Sequence, residues 1–528
     1  MLGTTVDVLK KWADRWSNRP FIITGQETLT YQEYYQKVCQ LSNWLLQQGV
    51  RHGDNVGMLM LNCPELYVGL LATHRVGAVA NLWNFRLSQN EISYLASHVD
   101  ARAVIVSPEL ASAVSGYDSG VILCTGPIEP SAGKLHNFAE ISSMPTDEPD
   151  VRGPVETDLS SVIYTSGTTG HPKGAAYTHQ TQLLSAIQYC LEMGLNLGSR
   201  GISAAPVIHG GATNFFMAYL FIGGAFIDSG RYDPERILQL TSRHQATELM
   251  AVPTQIFELL RVAQDLGMSA ELFESLKLIR TAGSPYPKEM VDQVHKTFGC
   301  HLLNTFGMTE NCSNVTIMHS GYDPESSWTT IGKPTYFWDA KVAELDDSGD
   351  EAMKEVPKPG RGQLLVAGPQ NIKHYYKSDA APRYMDGWLY ARDVVDIDAA
   401  GYMQIVDRVD STILSGGENV YPQEVEMFLK KHPAIDDVAV TGVADQRWGE
   451  RVVALIVSHD PSLDGQQIEN WCLENSSELA RYKRPRQVVF VDELPKNVFG
   501  KLERYKLKEK FQAAIGELGD EQRLRALE

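Results

Sequence analysis

Residues 164–174 read Tyr-Thr-Ser-Gly-Thr-Thr-Gly-His-Pro-Lys-Gly, directly after the apolar run Leu159 to Ile163. That order predicts a buried strand running into a phosphate-handling loop. Gly167, Gly170 and Gly174 let the backbone approach an anion closely. Thr165, Ser166, Thr168 and Thr169 add hydroxyl donors, and Lys173 adds a full positive charge. No Gly-Lys-Ser/Thr closes a G-x-x-x-x-G frame, so the loop is not a Walker A motif.

The rest of the 528-residue chain is too long for one ordinary core, and about three or four structural units are expected. A hydrophobic content of 43% and a charged content of 21% are those of a globular protein in water. The longest apolar run, Met217 to Ile227, is too short to span a bilayer and reads as one buried strand or helix. The opening residues lack the basic-then-apolar pattern of a signal peptide. Seven cysteines without C-x-x-C spacing suit reduced thiols, so the expected address is cytoplasmic. A net charge of −18 argues against nucleic acid as a partner. Arg481-Tyr-Lys-Arg-Pro-Arg486 is a local basic exception, either a solvated turn or a seat for a small phosphorylated ligand.

Residues 5 to 50 read as helix, short strand, helix, the second helix opening on a capping-box-like Leu29-Thr-Tyr-Gln-Glu33. From about residue 55 to 385, short β-rich runs alternate with helical periods, the mark of layered α/β architecture with largely parallel sheets. Residues 345–362 read as an exposed hairpin connection. A smaller α+β body follows Asp407-Arg-Val-Asp410, giving an expected division at 1–407 and 408–528. The residues from about 514 onward read as a surface helix or a frayed tail.

Four further motifs accompany the loop. In Asn304-Thr-Phe-Gly-Met-Thr-Glu310, Phe306 offers a ring face, Thr309 a hydroxyl and Glu310 a hard oxygen suited to magnesium. Trp388-Leu-Tyr-Ala-Arg-Asp393 ends in a carboxylate able to accept two ribose hydroxyls; the plainer reading is a surface strand end or an ion pair. Asp407-Arg408 supplies a guanidinium for the same sugar or phosphate. Leu494-Pro-Lys-Asn-Val-Phe-Gly-Lys501 holds a lysine on a tight turn. Each alone would pass for an ordinary turn, ion pair or solvated side chain.

Together, in this order, these motifs resemble the adenylate-forming superfamily of acyl-CoA synthetases, peptide-synthetase adenylation domains and beetle luciferases, over about residues 10–510. The resemblance implies a large N-terminal α/β domain, a small mobile C-terminal α+β domain hinged near Asp410, and ATP, Mg2+ and coenzyme A as cofactors. It implies that Thr165 to Lys173 cradle the triphosphate and that Ala282, Gly283, Ser284, Asn304 and Phe306 frame the adenine. Thr309 would touch the α-phosphate, Glu310 would hold magnesium, Asp393 and Arg408 would grip the ribose, and Lys501 would bridge carboxylate and α-phosphate. Gly416 and Gly417 match a segment that forms a pantetheine tunnel. Three positions depart from the family pattern: His374 and Arg392 where small residues are usual, and Ser411 where an acidic residue is common.

His209, in the uncharged stretch 205–216, matches a histidine that lines or gates the acid pocket in acyl- and aryl-CoA ligases. With no carboxylate there, an amino-acid substrate is not expected. Phe215 and Phe216 suggest an apolar or aromatic acid. The tracts Ala444 to Gly449 and Ser477 to Arg486 are similar to the 4-chlorobenzoate-CoA ligase-like branch and make Trp448, Tyr482, Arg484, Arg486 and Arg86 candidates for binding coenzyme A. The implied activity is formation of an acyl-adenylate and then an acyl-CoA, by a monomer or homodimer acting on a small carboxylic acid. The alternatives are an acyl-AMP ligase that loads a carrier protein and, in a different class, a catalytically silent nucleotide-binding module. The presence of Glu310, Asp393 and Lys501 argues against silence.

Overall fold

The structure is a computed structural model that describes residues 3–87, 89–126, 135–165, 172–284, 286–312, 314–344, 354–379, 381–415, 418–445, 448–476, 478–479, 481–496 and 502–517. The chain divides into two compact units. One comprises Met1–Ala340 with Val366–Leu389, the other Lys341–Leu365 with Tyr390–Glu528.

In the first unit the sequence begins with helices that are stopped and started by their own side chains. Thr30 accepts a hydrogen bond from the Glu33 amide at 3.2 Å, and Glu33 accepts one from the Thr30 amide at 2.8 Å. This is the expected capping box, opening the helix Tyr31–Gln47. The apolar runs that follow form parallel strands, and two sheets result among the described residues. In one, strands Ala101–Val106, Asn55–Leu59, Val79–Leu82 and Leu159–Thr165 lie side by side and parallel. In the other, Ala225–Ile227, Arg200–Ser203, Glu248–Met250, Leu278–Ala282 and His301–Phe306 do the same. Strands buried on both faces need no strict polar alternation, and most of their positions are apolar.

One expectation is revised. The stretch Met217–Ile227 is not one element. It holds the end of the helix Gly210–Ile222, a left-handed Gly223 at φ 76°, and the strand Ala225–Ile227. A side chain at Gly223 would be strained in that conformation, so the glycine fixes the break. Asp393 lies within the strand Trp388–Ile397.

In the second unit an antiparallel sheet runs Glu418–Val420, Ile413–Ser415, Gly449–Ser458, Ile435–Asp445, with Gln487–Phe490 parallel to Gly449–Ser458. Val452, Ala454 and Ile456 face a core shared with the helices Pro422–Leu429 and Gly465–Glu474. The alternate residues Val453 and Leu455 pack against Leu507 and Phe511 of the helix Leu507–Glu517. The period of two sends alternate residues to opposite layers. That last helix begins earlier than the tail expected from residue 514. No helix among the described residues is long and apolar enough to cross a membrane.

A polar cluster is buried in the first unit. The hydroxyl of Thr5 meets His74 Nδ1 at 2.9 Å and His179 Nδ1 at 3.1 Å, and His74 Nε2 meets Ser161 Oγ at 3.1 Å. Burial pushes His179 down to about 4 and His74 well below its ordinary value. The unfolded imidazole binds its proton near pH 6.5, so between about pH 6.5 and 4 the unfolded state holds more protons and stability falls as pH falls. His179→Gln is expected to flatten the loss of melting temperature over that window, since His179 alone contributes up to about 3 kcal/mol of it. An equally steep loss in wild type and variant would contradict this.

Candidate active site

The loop that opened the sequence reading is closed by a hairpin. Leu159–Thr165 pairs antiparallel with Lys173–Thr178, placing Thr165 opposite Lys173 and Tyr164 opposite Gly174. A Cβ at Gly174 would stand 2.5 Å from Val162 Cγ1, so close packing of the two strands requires glycine there. Ser166, Gly167, Thr168, Thr169 and Gly170 lie outside the described residues, as do Gly416, Gly417 and Lys501. For Thr165 and Asp410 only the backbone is described.

From this hairpin a chain of contacts leads to the other motifs of the first unit. The amide of Tyr376 donates to Gly174 O at 2.8 Å, and Tyr375 forms an isolated bridge with Ala175. The Tyr375 ring lies under Lys173, with Nζ 5.5 Å from its centroid, and its hydroxyl donates to Glu310 Oε1 at 2.7 Å. Tyr177 donates to Thr309 O at 2.7 Å. Ala282, Asn304 and Phe306 arrive by sheet register, Ala282 paired with Thr305 and Thr281 with Asn304, at the carboxyl ends of neighbouring parallel strands. Gly283 and Ser284 follow directly and are exposed. This is the end of a parallel sheet where loops form a crevice. Asn304 is engaged, its amide donating to Thr330 O at 2.7 Å.

The donor set of Glu310 fits magnesium. A Mg2+ ion keeps several waters and is held by one or two carboxylates plus phosphate oxygens. Glu310 provides one carboxylate, oriented by Tyr375. Among the described residues no group of three His, Cys, Asp or Glu side chains could hold a metal.

His209 caps the helix Gly210–Ile222, and its carbonyl accepts from the Thr213 amide at 2.8 Å. Burial, with the Arg86 charge beside it, pushes its imidazole down to about 4, so the ring is neutral at pH 7. Phe215 and Phe216 do not join it. Both are fully buried, Phe216 stacked on Tyr67 at 4.9 Å and Phe215 edge-on to Tyr219 at 5.0 Å. They build the core, which corrects the expectation that they suit the pocket to an apolar acid.

In the second unit, Asp393 and Arg408 are paired across two antiparallel strands, and Arg408 Nη1 meets both Asp393 oxygens at 3.1 and 3.2 Å. The residue before it, Arg392, has φ 62°. That left-handed conformation explains the small residue usual at this position, and a bulky residue there costs about 1–3 kcal/mol. Trp448 and Arg486 are also brought together, the guanidinium 4.3 Å from the indole centroid. The neighbouring cations are engaged: Arg484 with Glu469 at 3.2 Å and Lys483 with Glu424 at 2.6 Å. Lys483 Nζ also lies 5.7 Å from the Tyr482 ring centroid. Arg86 belongs to the first unit.

Sequence reasoning missed the hydroxyls of Tyr375 and Tyr177. Nothing local marks them, because each works by reaching a residue far along the chain.

Two family models match the chain. Residues 9–376 match the family model of AMP-binding enzymes, and residues 424–501 match that of the AMP-binding enzyme C-terminal domain. The chain is 32% identical over 491 residues to a feruloyl-CoA synthase of Amycolatopsis sp, covering 92% of this chain and 95% of that one. It is 30% identical to a 2-succinylbenzoate–CoA ligase of Geobacillus sp. (strain WCH70), covering 92% and 94%. Among solved structures it is similar to the anthranilate CoA ligase AuaEII in complex with anthranoyl-AMP, at 26% identity, TM-score 0.84 and coverage of 97% and 98%. It is likewise similar to the Bacillus subtilis o-succinylbenzoate coenzyme A synthetase in complex with ATP and magnesium, at 25% identity, TM-score 0.82 and coverage of 95% and 99%.

Tyr375→Phe removes only the hydroxyl that orients Glu310 and keeps the ring beneath Lys173. Magnesium-dependent turnover of ATP should fall about tenfold or more, with a higher magnesium concentration at half-maximum, since hydrogen bonds to charged groups contribute about 1.5–3 kcal/mol. An unchanged magnesium dependence would contradict the role given to Tyr375.

Proposed function

The chain belongs to the AMP-binding enzymes, and we propose that it ligates a carboxylic acid to coenzyme A through an acyl-adenylate. In the first half-reaction a carboxylate oxygen attacks the α-phosphorus of ATP, the bond to the β-phosphate oxygen breaks, and pyrophosphate leaves. In the second the CoA sulfur attacks the acyl carbon, AMP leaves, and the thiol proton passes to solvent. The observation that supports this most strongly is the convergence of Lys173, Tyr375, Glu310 and Thr309 at the carboxyl ends of the parallel strands.

The division of work is as follows. The hairpin loop from Thr165 to Lys173 binds the phosphates. Ala282, Gly283, Ser284, Asn304 and Phe306 frame the base. Asp393, with both oxygens held by Arg408, presents acceptors to the ribose hydroxyls. Glu310 would hold magnesium, which when bound neutralises charge on the phosphates. Lys501 would bridge the carboxylate and the α-phosphate, where negative charge concentrates during attack. The hinge near Asp410 and the boundary at 407/408 complete the scheme, with Gly416 and Gly417 at the pantetheine path.

An aromatic or other apolar monocarboxylic acid is the favoured substrate class. The relatives named for feruloyl-CoA, 2-succinylbenzoate and anthranilate support an aryl acid. The 4-chlorobenzoate-type branch is the finer reading, carried by the tract around Trp448 and Arg486. A neutral His209 would line the acid pocket without drawing a second carboxylate to itself. The stacked Trp448–Arg486 pair supports CoA as acceptor, for an adenosine face and its phosphate. Loading of a carrier protein is the second reading, favoured by the engagement of Arg484 and Lys483 with carboxylates, which lowers the charge left for a 3′-phosphate.

Lys501→Ala should lower acyl-adenylate formation by about 10²–10³ or more and spare thioester formation from synthetic acyl-AMP, because the α-phosphorus is under attack only in the first half-reaction. Single-turnover assays of the two steps check this, and equal loss in both would remove Lys501 from the role.

A further inference from the structure

Arg280 is a charged residue inside an otherwise apolar strand, Leu278–Ala282, and is 1% exposed. Its guanidinium is always protonated. Nη2 is satisfied, donating to Tyr189 Oη at 2.8 Å, to Thr305 Oγ1 at 3.0 Å and to Asn314 Oδ1. Nε and Nη1 are buried and have no hydrogen-bond partner among the described residues. A buried charged donor left unmet is costly, and a fold keeps one where something else completes it.

The surroundings of Nη1 point to what that is. Gly211, in the first turn of the helix that His209 caps, lies beside it: a Cβ there would stand 4.0 Å from Arg280 Nη1 and 3.3 Å from Met250 Cε. At Gly210 a Cβ would meet Tyr177 Oη at 3.1 Å, and Tyr177 is bonded to Thr309 O. Two consecutive glycines cost a helix about 1 kcal/mol each relative to alanine. Here they place backbone without side chains beside Tyr177 and Arg280. The strand residue two positions on from Arg280, on the same face, is Ala282 of the proposed adenine frame.

We infer that Arg280 is a specificity-determining residue of the acid pocket, donating Nη1–H to an oxygen that the acid carries remote from the carboxylate being activated. This rests on the ligase reading and narrows it: the preferred acid is not wholly apolar beyond its carboxylate. It bears a second acceptor, a carboxylate, hydroxyl or keto oxygen. The charges facing the site agree. Glu192, which meets Arg280 through Asn314, accepts from Asn314 Nδ2 at 3.0 Å, and burial pushes its carboxyl up to about 7. It therefore offsets only part of the guanidinium charge at neutral pH. Tyr189 and Tyr177 are neutral there, burial raising both phenols. His209 is neutral as well.

The test is a matched panel of acids: benzoate, 3-phenylpropanoate and hexanoate, each alone and with a terminal carboxylate, hydroxyl or keto oxygen. They are scored by CoA-dependent AMP formation with wild type, Arg280→Met, Arg280→Lys and Gly211→Ala. Wild type should favour an oxygen-bearing acid over its parent by about tenfold or more in kcat/KM. Arg280→Met should collapse that preference through the KM of the substituted acid, with the KM of ATP unchanged, and Arg280→Lys should restore part of it. Gly211→Ala, which sets a methyl group against Nη1 and leaves the guanidinium charge in place, should also lower kcat/KM for the substituted acid. A wild type that prefers the parents throughout overturns the inference, as does a folded Arg280→Met that keeps the preference. Should Arg280→Met fail to fold, an unchanged preference in Gly211→Ala overturns it. Turnover of parent acids without oxygen preference sinks the Arg280 reading alone. No AMP formation with any acid sinks the ligase reading and this one together.

Discussion

The antiparallel pairing of Leu159–Thr165 with Lys173–Thr178 is the constraint from which the rest of the first unit's site follows. A strand of the parallel sheet turns back on itself, so both ends of the glycine- and threonine-rich loop are fixed by ladder hydrogen bonds. The return strand then brings Tyr177 against Thr309 and offers Gly174 O and Ala175 to the segment carrying Tyr375 and Tyr376. Tyr375 in turn holds Glu310. The ends of the glycine- and threonine-rich loop, the Glu310 carboxylate and the Thr309 backbone are thus tied together by backbone pairing and two phenols. A loop followed by a helix, as in a Walker A motif, would have no return strand to make these links.

Charge is handled in the same local way. Both expected reactants are anions, and the chain as a whole is strongly negative at −18. Binding therefore depends on where individual cations are placed. Lys173 sits over a ring, Arg408 on Asp393, Arg486 on Trp448 and Arg280 in the interior. The three near the surface lie against an aromatic face or a single carboxylate, which holds their positions. Arg280 is hydrogen-bonded only to neutral oxygens, so its charge is offset only in part, in a medium of low polarisability.

What could be read from the residues was whatever local spacing determines. The capping box at Thr30 and Glu33 was legible because four residues contain the whole interaction. The strands Ala101–Val106 and Leu278–Ala282 were legible because sheets covered on both faces leave apolar runs. The gathering of Ala282, Asn304, Phe306, Thr309 and Glu310 was legible only through resemblance, since 28 residues separate Ala282 from Glu310 and register brings them together. Phe215 and Phe216 misled because a helix apolar on every side gives no sign of which face meets the pocket. Arg280 gave no signal at all. One arginine in an apolar strand becomes meaningful only when Tyr189, Thr305, Asn314 and Gly211 are seen around it. Met217–Ile227 was read as one element because apolar content hides a helix end, although Gly223-Gly224 marked the break.

The central claim is that one acid is first joined to AMP and then transferred to a thiol. Exchange of labelled pyrophosphate into ATP, measured without CoA and with acid present or absent, tests it most directly. The account predicts exchange only when an acid is present, and release of AMP and acyl-CoA in equal amounts once CoA is added. Exchange that ignores the acid, or release of ADP and phosphate in place of AMP and pyrophosphate, would contradict it.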